Sequence, residues 1–191
     1  MTVGSGPLPG LPDWDLVTDS TDLARQVRSV SRLTGEFTLR SGRTATEYFD
    51  KYQFEADPVL LDQLAERLAV LIPEGTEVLA GLEMGGIAVV TALARHAKLP
   101  TAFVRKQAKQ YGTARLAEGA EVAGRRVLIV EDVVTSGGQV VLSTNDLRKL
   151  GAHVDHAVCV IDRQEGGAQA LAAEGITLRA LLTRAELDAA A

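Results

Sequence analysis

The chain has 191 residues, 46% of them hydrophobic and 24% charged, with a formal net charge of −5. That length and balance fit one globular domain with at most a small appendage, and the acidic surplus argues against a nucleic-acid-binding surface. One cysteine, Cys159, excludes a disulfide framework. No C-x-x-C or H-x-x-x-H spacing suggests a protein-held zinc, and neither a cationic leader nor a long apolar run suggests a membrane, so a cytoplasmic protein is expected.

Residues 1–17 gather Pro7, Pro9 and Pro12 with Gly4, Gly6 and Gly10. They read as a mobile arm, pinned at most by Trp14. Over 19–34, Leu23, Val27, Val30 and Leu33 recur at helical spacing behind the cap candidates Asp19 and Ser20, and Thr34-Gly35 stops the pattern. Alternation from Glu36 to Arg43 and from Thr46 to Asp50, around a Ser-Gly turn, predicts a β-hairpin. Phe37, Tyr48, Phe49, Tyr52 and Phe54 cluster there with Arg40 and Arg43. They read either as a small satellite core or as a platform for a flat anionic ring.

Residues 57–72 carry Leu60, Leu61, Leu64, Leu68, Leu71 and Ile72 at a 3.6-residue period, ended by Pro73-Glu74-Gly75. A short strand, Val78-Leu79-Ala80, then runs through GLEMGG into an Ala/Val-rich helix that reaches about Ala97. Gly85-Gly86 at a helix start suits either a phosphate or close packing. Thr101–Val104 is the next strand. Residues 105–115 then hold Arg105, Lys106, Lys109 and Arg115 without an acid. Such a run is ordinarily a solvated face. Basic, broken by Gly112 and set between buried strands, it reads as a lid, because lids over polyphosphates need cations where charge builds on the leaving oxygens.

The stretch RVLIVEDVVTSGGQ, residues 126–139, organises the rest. Val127–Val130 is a buried strand. Glu131 and Asp132 form an acidic loop, Thr135–Gly138 a small polar turn, and Val140, Val141, Leu142, Leu147 and Leu150 a helix. The turn offers N–H groups and hydroxyls to a phosphate at a helix start. Carboxylates at a parallel strand's carboxyl end suit sugar hydroxyls, or a metal that itself holds phosphates. A ligand with both features is a ribose 5-phosphate; the plain alternative is a solvated acidic turn. Strand 154–161 buries Cys159 and ends in Asp162-Arg163-Gln164-Glu165-Gly166-Gly167, before helix 167–174, strand 176–181 and a helix from about 183. His96, His153 and His156 are scattered and receive no role. The alternation predicts an α/β fold, a mostly parallel sheet with helices on both faces.

In this order, LRSGR…YFD, GLEMGG, VRKQAKQYG, VEDVVTSGG and IDRQEGG resemble the motifs of the orotate phosphoribosyltransferases, a branch of the type I phosphoribosyltransferases, over about residues 19–175. The resemblance implies a Rossmann-like sheet in a single domain, 18–191, with a small N-terminal hood over about 18–55 and a core over about 56–191. It implies transfer of a 5-phosphoribosyl group from phosphoribosyl pyrophosphate (PRPP) to N1 of orotate, a step of pyrimidine (UMP) synthesis. The products would be orotidine 5′-monophosphate and pyrophosphate. Mg²⁺ would ride on the pyrophosphate, with no metal held directly by the protein.

By motif, Thr135, Ser136, Gly137, Gly138 and Gln139 would hold the 5-phosphate. Glu131 and Asp132 would face the ribose hydroxyls, Val133 and Val134 would complete that PRPP stretch, and Gly85 and Gly86 would meet PRPP from the second loop. Arg105, Lys106 and Lys109 would be catalytic contacts to pyrophosphate, with Tyr111 beside them. Thr135, Arg163, Tyr48, Phe49 and Arg40 would take orotate. A homodimer is implied, its lid reaching into the neighbouring subunit. The chain departs from the family pattern at Tyr111, where the lid usually has His, at Gln107 and Gln110, where acids are common, and at Arg40 and Gly85, where Lys occurs. The alternatives are transfer to another base, and a PRPP-sensing regulator that binds nucleic acid, for which the acidic chain shows no basic face.

Overall fold

The computed structural model describes residues 20–38, 42, 44–107 and 116–190. Helix α1 (Ser20–Ser31) buries Leu23, Ala24 and Val27. The chain then passes straight into β1 (Arg32–Thr38), three residues before the expected helix end. Cross-strand pairing overrides the helical spacing of Leu33: it lies opposite Tyr48 of β2 (Thr44–Phe49), in a separate two-stranded antiparallel sheet. The expected helix over 57–72 is preceded by a short one, α2 (Tyr52–Ala56). Asp57 then starts α3 (Pro58–Ala69), its Oδ1 accepting from the Val59 and Leu60 N–H groups at 3.0 Å. Pro58 at the first helical position has its φ already set for the helix.

Strand β3 (Val78–Leu82) leads to α4 (Gly85–Ala97), and β4 (Thr101–Val104) to β5 (Ala117–Gly119). Next come β6 (Arg126–Val134), α5 (Gly138–Lys149), β7 (His153–Asp162), α6 (Gly167–Ala173), β8 (Thr177–Thr183) and α7 (Arg184–Ala189). The main sheet has the order β5-β4-β3-β6-β7-β8. Its strands are parallel except β5, an unforeseen three-residue edge strand antiparallel to β4.

Glu131 and Asp132 are not in a loop: β6 continues through them to Val134, because β7 supplies partners, Cys159 beside Glu131 and Asp162 beside Val134. A central strand with neighbours on both edges keeps its ladder whatever side chains it carries.

Side-chain alternation divides the core between the two faces of the sheet. Leu79, Leu128, Val130 and Val158 pack with α1, α3, α4 and α7. Val78, Ala80, Val127, Ile129 and Cys159 pack with α5 and α6. From β3 the chain winds outward to β4 and β5, then returns to β6 and winds the other way. The crevice beyond the carboxyl ends of β3 and β6 is therefore the sheet's switch point, where open α/β sheets take ligands.

Candidate active site

Two strand–turn–helix units meet at that crevice. In the second, β6 enters a turn with Thr135, Ser136 and Gly138 exposed. Gly137 has φ +76°, and a Cβ there would lie 2.4 Å from Leu171 Cδ1, so no side chain fits. Helix α5 starts next with no side-chain cap. Its first N–H groups and two hydroxyls thus face outward together, the donor set of an anion cradle.

The first unit is closed where the second is open. Gly85 and Gly86 are buried. A Cβ on Gly85 would lie 1.8 Å from Asp132 Oδ2 and 2.8 Å from Glu55 Oε1, and one on Gly86 2.5 Å from the Val130 carbonyl oxygen. Close packing against the carboxylates therefore requires both glycines, while the start of α4 also lacks a side-chain cap.

The carboxylates form a cluster with partners that the sequence reading missed. Asp132 is only 1% exposed. Its Oδ1 accepts from the Val133 N–H at 2.6 Å, and its Oδ2 is paired with Lys51 Nζ. Glu131 Oε2 accepts from the Asp132 N–H at 3.2 Å. Burial pushes the Glu131 carboxyl well above the usual carboxylate range, and the neighbouring Asp132 charge adds to this. Burial and the hydrogen bond to Asp132 push Glu55 up to about 8. Burial opposes the charge on Asp132 as well, but hydrogen bonds from Glu55 and Lys51 hold it below the usual range. Burial opposes the Lys51 charge too, and its bond to Asp132 outweighs that. The Lys51–Asp132 pair compensates its own charge, and burial favours the protonated forms of Glu55 and Glu131, which lessens the repulsion of a phosphate in the adjoining cradle. The sequence signal for Lys51 and Glu55 was their i, i+4 spacing directly after the aromatic hairpin.

A cleft of about 290 Å³ opens between the hairpin and the end of the main sheet. Tyr48, Phe49 and Arg163 line it together with Arg28, Arg32, Glu47, Arg184, Leu187 and Asp188. Its four guanidinium groups face two carboxylates, which favours an anionic occupant. Arg28 Nη1 donates to the Leu187 carbonyl at 2.8 Å, Arg32 pairs with Glu47, and Arg184 Nε donates to Asp188 Oδ2 at 2.7 Å. Arg163 Nη2 meets Glu165 at 3.1 Å, whereas its buried Nε has no hydrogen-bond partner. Each of the four guanidinium groups has N–H donors beyond these pairings, so the cleft as a whole can bind an anion.

Thr135 does not line this cleft but stands on the adjoining turn, tied to it by the Arg163 N–H donating to Val134 O at 2.9 Å. Arg40 lies outside the described residues. The aromatic cluster splits: Phe37 and Tyr48 pair with ring centroids 5.5 Å apart, while Phe54 is fully buried in the main core and Tyr52 lies exposed on another groove. Burial of Phe54 against α1 and α3 outweighs any gain from keeping it in the hood.

At the start of the basic run, the Arg105 N–H donates to Leu116 O at 2.9 Å, which continues the β4–β5 pairing, and the Arg105 side chain stands 3.9 Å from Glu118. Lys106 is exposed. Lys109 and Tyr111 lie outside the described residues.

A parallel sheet with a hydroxyl-lined anion cradle and buried carboxylates at its switch point defines a binder of phosphorylated sugars or nucleotides. Residues 53–174 match the family model described as phosphoribosyl transferase domain. The chain is 53% identical over 175 residues to the orotate phosphoribosyltransferase of a Nocardioides species, a match covering 92% of this chain and 97% of that protein. It is 42% identical over 170 residues to that of Methanocella arvoryzae, covering 89% and 96%. Its fold matches the crystal structure of Mycobacterium tuberculosis H37Rv orotate phosphoribosyltransferase in complex with PRPP, with a TM-score of 0.76, 31% identity, and coverage of 88% of this chain and 98% of that one. The chain belongs to the phosphoribosyltransferase family and, within it, to the orotate phosphoribosyltransferases.

Proposed function

We propose that the chain transfers the 5-phosphoribosyl group of PRPP to N1 of orotate, releasing pyrophosphate and forming orotidine 5′-monophosphate. The observation that carries this reading is the cationic cleft in which Tyr48, Phe49 and Arg163 meet, next to the Thr135–Gly138 cradle. It joins a site for a flat anion to a site for a sugar phosphate.

Thr135 to Gln139 take the 5-phosphate on the open start of α5, with Val133 and Val134 as the backbone leading into it. Glu131 and Asp132 serve the ribose hydroxyls, and Gly85 and Gly86 let the second loop approach. As the bond from the anomeric carbon to pyrophosphate lengthens, that carbon gains positive character and the orotate ring nitrogen attacks from the opposite face. No acid or base must act on the protein side; the work is positioning and stabilisation of the leaving group. Arg105 and Lys106, with Lys109 and Tyr111, close over the pyrophosphate. Arg163 pairs with a carboxylate or carbonyl oxygen of orotate between Tyr48 and Phe49, with Arg40 and Thr135 beside them.

Mg²⁺ would ride on the PRPP pyrophosphate, where it would neutralise charge on the leaving group. Asp132, buried and already paired with Lys51, is a poor direct ligand for it. The same reading takes residues 18–191 as one domain with a hood, acting in the cytoplasm as a homodimer whose lid crosses the interface. No helix among the described residues is long and apolar enough to cross a membrane.

The test is a steady-state assay with PRPP and Mg²⁺ that follows loss of orotate absorbance, with uracil and purine bases in parallel. Turnover of orotate alone is expected; turnover of another base in its place would overturn the base assignment. Arg163→Ala should raise KM for orotate about tenfold or more, the loss of one charged hydrogen bond, with KM for PRPP kept.

A further inference from the structure

Lys51 and Glu55 have no part in the transfer as described above. Both lie on the short segment joining the hood hairpin to α3. Lys51 follows Phe49 of the cleft by two residues, and Glu55 is one helical turn further on, in α2. The i, i+4 spacing puts them on one side, and they converge on Asp132. Lys51 Nζ is paired with Asp132 Oδ2. Glu55 Oε1 and Asp132 Oδ2 share the space that a side chain on Gly85 would fill. Both oxygens are buried, and apart from Lys51 neither has a donor other than a proton on the facing carboxyl. Two facing buried carboxyl oxygens require a proton between them, because neither can be left bare at low dielectric.

We propose that Lys51 and Glu55 are positioning residues that together set the place and charge of Asp132, tying the base cleft to the sugar site through one short segment. The inference rests on the reading of Asp132 as a ribose contact. Lys51 supplies the counter-charge without which a carboxylate 1% exposed could not stay ionised. Glu55 supplies the proton that satisfies the second oxygen. The charged groups facing the Glu55 carboxyl are Asp132, Lys51 and Asp50, and α4 brings the Gly85 backbone against it. Because Glu55 holds its proton up to about 8, the arrangement is intact at neutral pH and is lost as pH rises past that value, when two adjacent buried carboxylates would both be charged.

The test measures binding of PRPP with Mg²⁺, without orotate, by calorimetry on the full chain across pH 6.5–9.5, with thermal melts on every variant. Lys51→Met and Glu55→Ala should each weaken binding about tenfold or more at pH 7, while Lys51→Arg and Glu55→Gln restore it to within about threefold. Wild-type affinity should fall above about pH 8. Glu55→Gln, which keeps an N–H donor but cannot ionise, should lose that fall. Unchanged or tighter PRPP binding in a folded Lys51→Met, together with a Glu55→Gln that follows the wild-type pH profile, overturns the inference. If Lys51→Met fails to fold, the Glu55 pair alone decides. Asp132→Asn separates the two readings. If it weakens binding while the Lys51 and Glu55 variants match wild type, the site stands and the inference falls. If it binds like wild type, Asp132 leaves the site and the inference goes with it.

Discussion

Helices α3 and α7 begin differently from α4 and α5. Asp57 caps α3 with two hydrogen bonds of 3.0 Å. Thr183 and Glu186 cap α7 reciprocally, each side chain accepting from the other's backbone N–H. Helices α4 and α5 have no side-chain cap at all, and both start at the carboxyl edge of the main sheet beside the switch point. A cap is worth about 1 kcal/mol, so the chain forgoes that stability at these two helix starts beside the crevice and keeps it at α3 and α7. The open starts also differ from each other. At α5 the cradle is exposed; at α4 the glycines are pressed against Asp132 and Glu55. One uncapped start lies open, as the proposed 5-phosphate site requires, while the other makes room for the carboxylates proposed to meet the sugar.

The largest effect should come from closing that room. Gly85→Ala would drive a methyl onto Asp132 Oδ2, with 1.8 Å available. We expect kcat/KM for PRPP to fall about a hundredfold or more, with a loss of melting temperature from overpacking. Near-normal kinetics would mean that the carboxylates can move aside freely and that the cluster is not rigid.

A smaller effect should follow from filling the open cradle. Gly138 has only Ser136 Oγ, at 3.9 Å, near a hypothetical Cβ, so an added side chain fits. Gly138→Asp places a carboxylate at the uncapped start of α5, which the helix dipole favours and a phosphate does not. KM for PRPP should rise about ten- to a hundredfold while the melting temperature holds or increases. A lower melting temperature with KM unchanged would show that this helix start is not an anion site.

The smallest effect concerns a capped start. Asp57→Ala should cost about 1 kcal/mol, or about 2–4 °C in Tm, and leave KM for both substrates unaltered. A clear rise in KM would show that α3 and the segment before it carry strain directly into the site, which would sharpen the link through Lys51 and Glu55.

Much of this was legible in the chain itself. The units β3–α4 and β6–α5, the cradle Thr135–Gly138 and the basic run from Arg105 depend on neighbours in sequence: a β-branched run, a glycine turn, then a helical period. Arg163 follows a strand's carboxyl end, and its proposed role in the site came from the resemblance carried by IDRQEGG. Local pattern also determined the alternation that leads to a parallel sheet, with each strand's two faces assigned to opposite core layers.

Tertiary structure alone decided the rest. Whether Glu131 and Asp132 sit in a loop or a strand depended on β7 pairing beside them. Phe54 left the aromatic platform because α1 and α3 offered a better burial site. Arg28, Arg32 and Arg184 entered the cleft from segments up to 156 residues apart. Lys51 found Asp132 across 81 positions. A buried charge is stable only where a partner of opposite sign and a proton-bearing neighbour arrive together. Which distant residues arrive is set by how the helices and the hood close over the sheet, and short-range sequence pattern carries no record of that.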